Sequence, residues 1–326
     1  MPDAGRPLAG RTILVTGSTG FIGRPLCRAL LEAGATVRGS SRQGGAHPIP
    51  GVERVQIGDP LNRGAIGAAV AGADAIVHLA ARVHVMRETA ADPLAEFRAA
   101  NVVATRVLGE EAAAAGVSHL VFASTVKAVG EETSTPWTEE TPPQPVDPYG
   151  RSKLEAEQLL GDLAGRGAMG VSVLRLPLVY GPEVKGNMLR LFALVDRGVP
   201  LPFGAVSNRR SMLYLGNLVA AMGAVLERPG AGYRAFFVTD LRDVSLPELI
   251  RLIGVALGRP ARLLPVPPGL LRLLLPSAEA GRLMGSLAVD ASGLTRATGY
   301  QPAFTVEQGL RATAEWYRGA ARRSAA

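Results

Sequence analysis

The sequence contains very little cysteine and very little lysine. Its one cysteine, Cys27, has no partner within the chain, so an internal disulfide is excluded and nothing indicates an oxidising compartment. Only three of the 35 basic residues are lysines, Lys127, Lys153 and Lys185. Because arginine is the usual cation here, a position that keeps a compact, titratable ammonium group is a candidate functional position.

Long apolar runs are also missing. No run reaches the roughly 18 residues of a transmembrane helix, and no long apolar stretch near the amino terminus precedes a cleavage site. We therefore expect a cytoplasmic protein without an integral membrane segment. The net charge of +7 comes from basic residues scattered through helix-like segments, so we predict no nucleic-acid partner.

The order of the apolar segments predicts an α/β fold. With 47% hydrophobic and 19% charged residues, the chain can bury a sizeable core. Helix-like segments separate strand-like runs at 12–16, 36–41, 52–59, 73–81, 119–124 and 171–181. This alternation is typical of a doubly wound parallel sheet, the Rossmann architecture, covered by helices on both faces.

The pattern also predicts two unequal parts. Residues 10–182 form the expected NAD(P)-binding Rossmann domain, to which the chain would return around 213–240. Residues 183–326 are expected to form mainly a smaller C-terminal substrate-binding lobe. Within it, the proline-broken apolar segment 262–276 is interpreted as core or as a lid, with a membrane-surface patch as the alternative.

A glycine-rich turn follows the first predicted strand. The segment TGSTGFIG occupies 16–23, between a strand and an apolar-periodic helix. Glycine allows a tight turn and a close approach to a pyrophosphate, and the helix that follows offers unpaired N–H groups. The predicted cofactor contacts in this turn are Gly17, Thr19, Gly20, Phe21, Ile22 and Gly23.

The end of the second predicted strand indicates which dinucleotide binds. NAD-binding folds usually carry an acid there, which binds the ribose hydroxyls. This chain instead has Ser40, Ser41 and Arg42. A guanidinium without a carboxylate favours a 2′-phosphate, so NADP(H) is the preferred cofactor and NAD(H) is possible. The alternative is that Arg42 is a solvated loop residue.

Tyr149 and Lys153 form a Y-x-x-x-K pair in YGRSK. Residues at i and i+4 share one face of a helix. An ammonium group near a phenol favours the phenolate, so we expect Lys153 to lower the pKa of Tyr149 and make it a usable acid or base. Taken alone, the pair could be two surface residues.

The ordered set of motifs resembles the extended short-chain dehydrogenase/reductase family. The motifs are TGSTGFIG, HLAA (78–81), NVVAT (101–105), ASTVKAVGE (123–131), YGRSK (149–153) and LPLVYGP (176–182). Within that family the chain resembles the nucleotide-sugar epimerases, dehydratases and reductases. The resemblance covers nearly the whole chain and is much more specific for the family than for the reaction.

The resemblance implies roles for individual residues. Thr125, Tyr149 and Lys153 would be catalytic, with Lys153 also binding the nicotinamide ribose. Asn187 and Arg210 would contact the diphosphate of a UDP-sugar, a task that suits the planar guanidinium of arginine. Further cofactor contacts would come from Asp59 near the adenine and from Leu79, Ala80, Ala81 and Pro177.

The histidines do not suggest a metal site. His78, His84 and His119 have no ligand spacing with cysteines or acids, so we predict no metal. His78 closes a strand and is interpreted as structural.

The residues after Thr125 bear on the reaction. By resemblance, a 4,6-dehydratase would carry an Asp–Glu pair there, whereas this chain has Val126 and Lys127. Dehydration is therefore not favoured. We expect Lys127 to border the sugar pocket, with a solvent-pointing lysine as the alternative.

Two enzymatic interpretations remain. One is a 4-keto reductase of a UDP-4-keto-6-deoxy-N-acetylhexosamine in polysaccharide biosynthesis. The VKAVGE and GSLAVD segments resemble those of a subgroup of such reductases, and an exchangeable NADPH favours the same reaction. The other is a UDP-glucose or UDP-N-acetylglucosamine 4-epimerase with tightly bound NAD. A non-catalytic NADP-sensing protein is a third, minor alternative. The resemblance also implies a homodimer through the helices predicted at 92–116 and 149–165.

Overall fold

The computed structural model describes residues 6–41, 47–83, 92–167, 169–274 and 276–325. Its strands are β1 (Thr12–Thr16), β2 (Thr36–Ser41), β3 (Glu53–Gln56), β4 (Ala75–His78), β5 (His119–Thr125), β6 (Gly170–Leu176), β7 (Leu178–Tyr180), β8 (Arg210–Tyr214), β9 (Tyr233–Phe237) and β10 (Asp243–Val244).

The helices lie mainly between these strands. They are α1 (Gly23–Glu32), α2 (Arg63–Val70), α3 (Pro93–Phe97), α4 (Ala104–Ala114), α5 (Pro148–Gly165), α6 (Gly186–Asp196), α7 (Leu215–Glu227), α8 (Leu246–Ala256), α9 (Pro268–Leu274), α10 (Ser277–Met284), α11 (Ser292–Thr298) and α12 (Val306–Ala325). Among the described helices, none is long and apolar enough to cross a membrane.

The main sheet has seven strands in the order β3-β2-β1-β4-β5-β6-β9, and every neighbouring pair is parallel. The β4 side chains are all buried, as are six of the seven in β5, because helices cover both faces. The predicted doubly wound Rossmann sheet is therefore confirmed. The strands' carboxyl ends lie along one edge, where ligands bind in such folds.

Two predicted elements are interrupted. The run 171–181 contains β6 and β7, which belong to different sheets, and Pro177 separates them. Proline lacks an N–H donor and interrupts a ladder of hydrogen bonds. The helix expected over 92–116 consists of α3, a π-helical segment at Arg98–Val103, and α4. Such π-helical segments often occur at functional sites.

A second hydrophobic cluster lies mainly in the C-terminal part of the chain. It contains Tyr180, Phe192, Met212, Ile250 and Leu310, all of which are buried. A smaller sheet, in the order β10-β8-β7, accompanies it. We propose that this cluster is the core of the substrate-binding lobe expected within 183–326.

Candidate active site

The glycine turn after β1 leaves room that only glycine can provide. Gly17 has φ +68°, and a Cβ there would lie 3.0 Å from the backbone nitrogen of Ala80. A Cβ on Gly23 would lie 2.2 Å from the Gly17 carbonyl oxygen. α1 begins at Gly23, and Ile22, which precedes it, provides no capping side chain in the described structure. These features fit the pyrophosphate of a dinucleotide, held by backbone N–H groups.

The corner between β1 and β2 is filled by small polar groups. The Ser18 hydroxyl donates to the Ser40 carbonyl at 3.0 Å, and His47 Nε2 lies 3.0 Å from the same hydroxyl. Burial lowers the pKa of His47. Arg42 lies outside the described residues, and only the backbone of Ser41 is described. The 2′-phosphate contact therefore stays a prediction.

Asp59 and the β4–α3 connection lie at the same edge of the sheet. Asp59 is exposed after β3, and its carboxylate accepts a hydrogen bond from the Leu61 N–H at 2.9 Å. The Thr16 hydroxyl oxygen accepts from the N–H groups of Leu79 and Ala80, at 3.2 and 3.1 Å. The chain from Leu79 to Ala81 is thus held beside the glycine turn, as the predicted cofactor contacts require.

His78 is a buried structural residue, as the sequence indicated. Because the Thr16 oxygen already accepts from two N–H groups, its proton points to His78 Nδ1, 2.6 Å away. The Thr105 hydroxyl donates to the Asn101 carbonyl at 2.5 Å, so it accepts from His78 Nε2 at 3.0 Å. His78 is therefore neutral, and burial, assisted by the charge of Lys153, lowers its pKa to about 3.

Helix α5 begins with a strong capping signal. Asp147 is the N-cap, and its carboxylate accepts from the Gly150 N–H at 2.6 Å, while Pro148 occupies the first helical turn. Gly150 packs directly on the turn after β5, since a Cβ there would lie 2.3 Å from the Lys127 carbonyl oxygen. This contact places the start of α5, including Tyr149, against the turn that follows Thr125.

Thr125 ends β5 and begins that turn. Its hydroxyl oxygen accepts from the Lys127 N–H at 3.3 Å and caps the short 3₁₀ segment Val126–Ala128. The hydroxyl proton of Thr125 can still be donated to a ligand oxygen. The structure therefore brings the predicted Thr125 and Tyr149 to adjoining elements at one edge of the sheet.

The side chain of Lys153 is almost fully buried below Tyr149 on α5. Its ammonium nitrogen lies 3.8 Å from the centroid of the Phe122 ring, a cation–π contact. Burial lowers the pKa of Lys153 to about 7, against the opposing effect of Glu157. A lysine buried at this depth can donate a hydrogen bond to a ligand hydroxyl in either protonation state, which is compatible with the predicted ribose contact.

The expected lowering of the Tyr149 pKa is wrong for the protein alone. The tyrosine ring packs edge-on against Phe97, with centroids 5.9 Å apart. Burial raises the pKa of Tyr149, and the negative charge of Asp147 raises it further. The desolvated ammonium of Lys153 lies against Phe122 and does not offset these two effects. Tyr149 is therefore a protonated phenol at neutral pH.

Lys127 is held between two acids. Its ammonium nitrogen lies 2.7 Å from the Glu131 carboxylate and also pairs with Asp147. Burial acts to raise the pKa of Asp147, but hydrogen bonds from Lys127 and the Gly150 N–H outweigh it, and the pKa is lowered. Lys127 thus contacts the N-cap of the helix that carries Tyr149. Its predicted place beside the sugar stays a prediction.

Asn101 was not among the predicted site residues, although the NVVAT motif contains it. It lies in the π-helical segment, where its amide group donates to the Arg82 carbonyl and the Ser152 hydroxyl, each at 3.0 Å. The Arg82 N–H donates back to its amide oxygen at 2.8 Å. Asn101 therefore joins the chain after β4 to the helix that carries Tyr149 and Lys153.

The predicted substrate contacts lie in the C-terminal part. Asn187 is exposed in the first turn of α6. Arg210 begins β8 and donates to the Gly285 carbonyl at 2.9 Å, and burial lowers its pKa. Pro177 is buried between β6 and β7. The geometry is compatible with the roles assigned by resemblance, and these roles stay predictions.

Among the described residues, no group of three or more potential metal ligands converges. His119 is buried and lies 3.1 Å from the Ser172 hydroxyl through Nε2. Burial lowers its pKa to about 4, helped by two nearby arginines. His84 lies outside the described residues.

The first prediction concerns Lys127 as a positioning residue. Because Lys127 and Asp147 form one charged pair at the start of α5, Lys127→Met and Asp147→Asn should each lower kcat/KM about tenfold. The double variant should lose little more than either single variant, since the two changes break one interaction. Lys127→Arg serves as the control and should retain most of the activity.

The pattern of effects separates this role from a substrate contact. If Lys127 binds the sugar, Lys127→Met should raise KM alone, while Asp147→Asn should leave it unchanged. Additive effects of the two single variants would also contradict the positioning role. Steady-state kinetics of the parent and the four variants with the predicted keto-sugar substrate are the required measurement.

Comparisons with known proteins agree with this geometry. A model described as the NAD dependent epimerase/dehydratase family matches residues 13–238. A UDP-glucose 4-epimerase of Vibrio cholerae is 36% identical over 315 residues, covering 94% of this chain and 95% of that protein. An N-acetyl-α-D-glucosaminyl-diphospho-ditrans,octacis-undecaprenol 4-epimerase of Escherichia coli O157:H7 is 26% identical, covering 93% and 94%.

A solved structure is also similar over almost the whole chain. It is MoeE5 in complex with UDP-glucuronic acid and NAD, with 25% identity and a TM-score of 0.77. The alignment covers 95% of this chain and 99% of that one. The fold is therefore shared, over almost its whole length, with a protein whose structure contains UDP-glucuronic acid and NAD.

Proposed function

Because the chain belongs to the NAD-dependent epimerase/dehydratase family of nucleotide-sugar enzymes, we propose that it reduces the 4-keto group of a nucleotide sugar. The substrate class is a UDP-4-keto-6-deoxy-N-acetylhexosamine. The observation that carries the proposal is the end of β2, where Ser40 and Ser41 provide no carboxylate for the ribose hydroxyls of NAD and so favour an exchangeable NADPH. Tyr149, which is a protonated phenol in the protein alone, suits the proton donor that reduction of a ketone needs.

Each residue then has a defined task. Tyr149 donates its proton to the carbonyl oxygen as that oxygen gains negative charge, and the Thr125 hydroxyl donates a hydrogen bond to the same oxygen. Lys153 holds the ribose of the cofactor beside α5. When bound, the nicotinamide cofactor supplies the hydride chemistry, and the glycine turn holds its pyrophosphate.

Dehydration does not suit this site. After Thr125 the turn presents Val126, which is buried, and Lys127, which is paired with Glu131 and Asp147. The two nearby carboxylates thus bind an ammonium group and are not free to remove a proton from the sugar. The sequence already lacks the acid pair that a dehydratase needs after Thr125. The ion pairs of Lys127 with Glu131 and Asp147 add a second argument against dehydration.

The second candidate is a 4-epimerase with tightly bound NAD. Its support is the similarity to the Vibrio cholerae protein over 94% of the chain. An epimerase oxidises the 4-hydroxyl group and keeps its NAD bound, so it needs a site suited to NAD. The end of β2, where Ser40 and Ser41 offer no carboxylate to the ribose hydroxyls, does not favour that cofactor.

The proposed cofactor is NADP(H), with NAD(H) as the alternative. Ser40 and Ser41 at the end of β2 provide no carboxylate for the ribose hydroxyls, which supports NADP(H). The NAD in the complex of the MoeE5 protein supports the alternative. Titration of the purified protein with each reduced cofactor, followed by fluorescence, would compare the two affinities directly.

One set of assays distinguishes the two reactions. The purified protein is examined for bound NAD, then assayed with UDP-galactose and, separately, with NADPH and a UDP-4-keto-6-deoxy-N-acetylhexosamine. We expect NADPH oxidation only when the keto-sugar is present. Interconversion of UDP-galactose and UDP-glucose without added cofactor would overturn the reductase and support the epimerase.

A further inference from the structure

The segment 262–274 exposes four leucines. Their exposed fractions are 50% for Leu264, 49% for Leu270, 82% for Leu273 and 71% for Leu274. The last three lie at i, i+3 and i+4 of α9, so they share one face of the helix. Leu271 points the other way and is buried in the second hydrophobic cluster. Single exposed leucines are ordinary, but four in one short segment indicate a surface that binds something.

Along the sequence, the charged residues of this segment and its neighbours are all of one sign. Residues 249–278 contain four arginines and no aspartate or glutamate. Arg262 and Arg272 are exposed, and neither has an ion-pair partner among the residues that the structure describes. Exposed leucines flanked by exposed arginines suit the boundary between the acyl chains and the head groups of an anionic bilayer.

A second copy of the chain fits this surface less well. Two-fold association would place the same patch against itself, so that arginines would face arginines across the contact. The homodimer that the resemblance implies would instead use α4 and α5, which lie in the Rossmann part. An acidic surface therefore matches the patch better than another copy does.

The patch also borders the candidate substrate site. Pro268 and Arg272 of α9 line a cavity of about 450 Å³ together with Glu132 and Gly285. Gly285 accepts the hydrogen bond from Arg210, the predicted diphosphate contact. A lipid surface in contact with the leucines would therefore lie next to this cavity, which adjoins the predicted binding site for the sugar nucleotide.

We propose that the leucine face of α9 and the adjoining Leu264 and Arg262 dock on an anionic lipid bilayer. α9 has only seven residues, so it would lie at the interface without crossing the bilayer. The leucines enter the head-group boundary, and the arginines bind lipid phosphates. This docking is independent of whether the enzyme is a reductase or an epimerase.

Vesicle sedimentation tests the proposal. The full chain is mixed with vesicles of phosphatidylcholine alone, or of phosphatidylcholine and phosphatidylglycerol in equal parts. We expect binding to the anionic vesicles that decreases with salt. The double variant Leu273→Ser/Leu274→Ser should bind at least about tenfold more weakly, because two leucine side chains no longer enter the bilayer. Arg262→Gln should bind more weakly and with less dependence on salt.

Leu61→Ser is the matched control, because Leu61 is 47% exposed and lies after β3, in the Rossmann part. It should bind vesicles as the parent does. Equal binding by the double variant, or no binding of the parent to anionic vesicles, would overturn the proposal. Sedimentation velocity adds a further check: if the double variant converts a dimer into monomers, the face is an interface between copies and the lipid proposal fails.

Discussion

The Tyr149→Phe variant is expected to lose about 10²–10⁴-fold in kcat with the keto-sugar, because a positioned acid contributes that much to proton transfer. The phenylalanine keeps the ring that packs edge-on against Phe97, so α5 should stay in place. Lys153, four residues along the helix, is unchanged and should still bind the cofactor. KM for the reduced cofactor is therefore expected to change little.

Cofactor binding is the control that separates a loss of proton transfer from a loss of folding or of cofactor affinity. Fluorescence titration of the variant with NADPH should give the parent's affinity, and thermal unfolding should give the parent's midpoint. Lost turnover with retained cofactor affinity would place Tyr149 at the chemical step. Full activity of the variant would contradict the assignment. If the parent itself binds NADPH but turns over no sugar, the non-catalytic sensor becomes the better interpretation.

The central part of the candidate site could be predicted from the sequence because the prediction depends on local spacing. The glycine turn lies between a strand and a helix, and Tyr149 and Lys153 lie one helical turn apart. Neither feature requires knowledge of distant contacts. The same holds for the parallel sheet, since strands and helices alternate along the chain with the lengths that such sheets require.

The electrostatic state of Tyr149 could not be predicted in the same way. The pair Tyr149 and Lys153 suggested a lowered tyrosine pKa, because the sequence shows the two residues one turn apart but not how deeply they are buried. Burial determines the outcome: it raises the pKa of Tyr149 and lowers that of Lys153 to about 7. Asp147 adds to the effect on Tyr149, and it is close only because it caps α5.

Some missed residues had a readable signal. The segment VDPYG places an aspartate before proline, which is a common way to begin a helix, so Asp147 could have been identified as the N-cap of α5. Lys127 could not have been paired with it from the sequence, since the two are 20 residues apart and meet only because α5 packs on the turn after β5. Long-range pairs of this kind depend on the tertiary fold.

The pair of Glu157 and Arg175 is a further long-range contact, and its loss has the largest expected effect on stability. Arg175 Nε and Nη2 lie 3.1 and 2.8 Å from Glu157 Oε2, in a site where both side chains are buried. The Ser124 hydroxyl donates to the other carboxylate oxygen. The pair therefore joins α5 to β5 and β6 behind the site.

Glu157→Gln is expected to lower the free energy of unfolding by about 3–5 kcal/mol, because it leaves the buried charge of Arg175 without a counter-charge. Glu155→Gln is the matched control on the same helix. Glu155 pairs with Arg98 at 2.6 Å in an exposed position, so its loss should cost less than about 1 kcal/mol. Urea unfolding of the parent and the two variants gives both values.

A second variant shows whether the unpaired charge is the cause. Glu157→Gln combined with Arg175→Met removes the buried cation as well, so it should regain most of the lost stability, as replacement of buried ion pairs by apolar groups often does. If the combined variant is as unstable as Glu157→Gln alone, the loss comes from the Ser124 hydrogen bond or from packing. If Glu157→Gln and Glu155→Gln are equally stable, the buried pair does not hold α5 against the sheet. Other contacts would then have to fix the position of the helix that carries Tyr149 and Lys153.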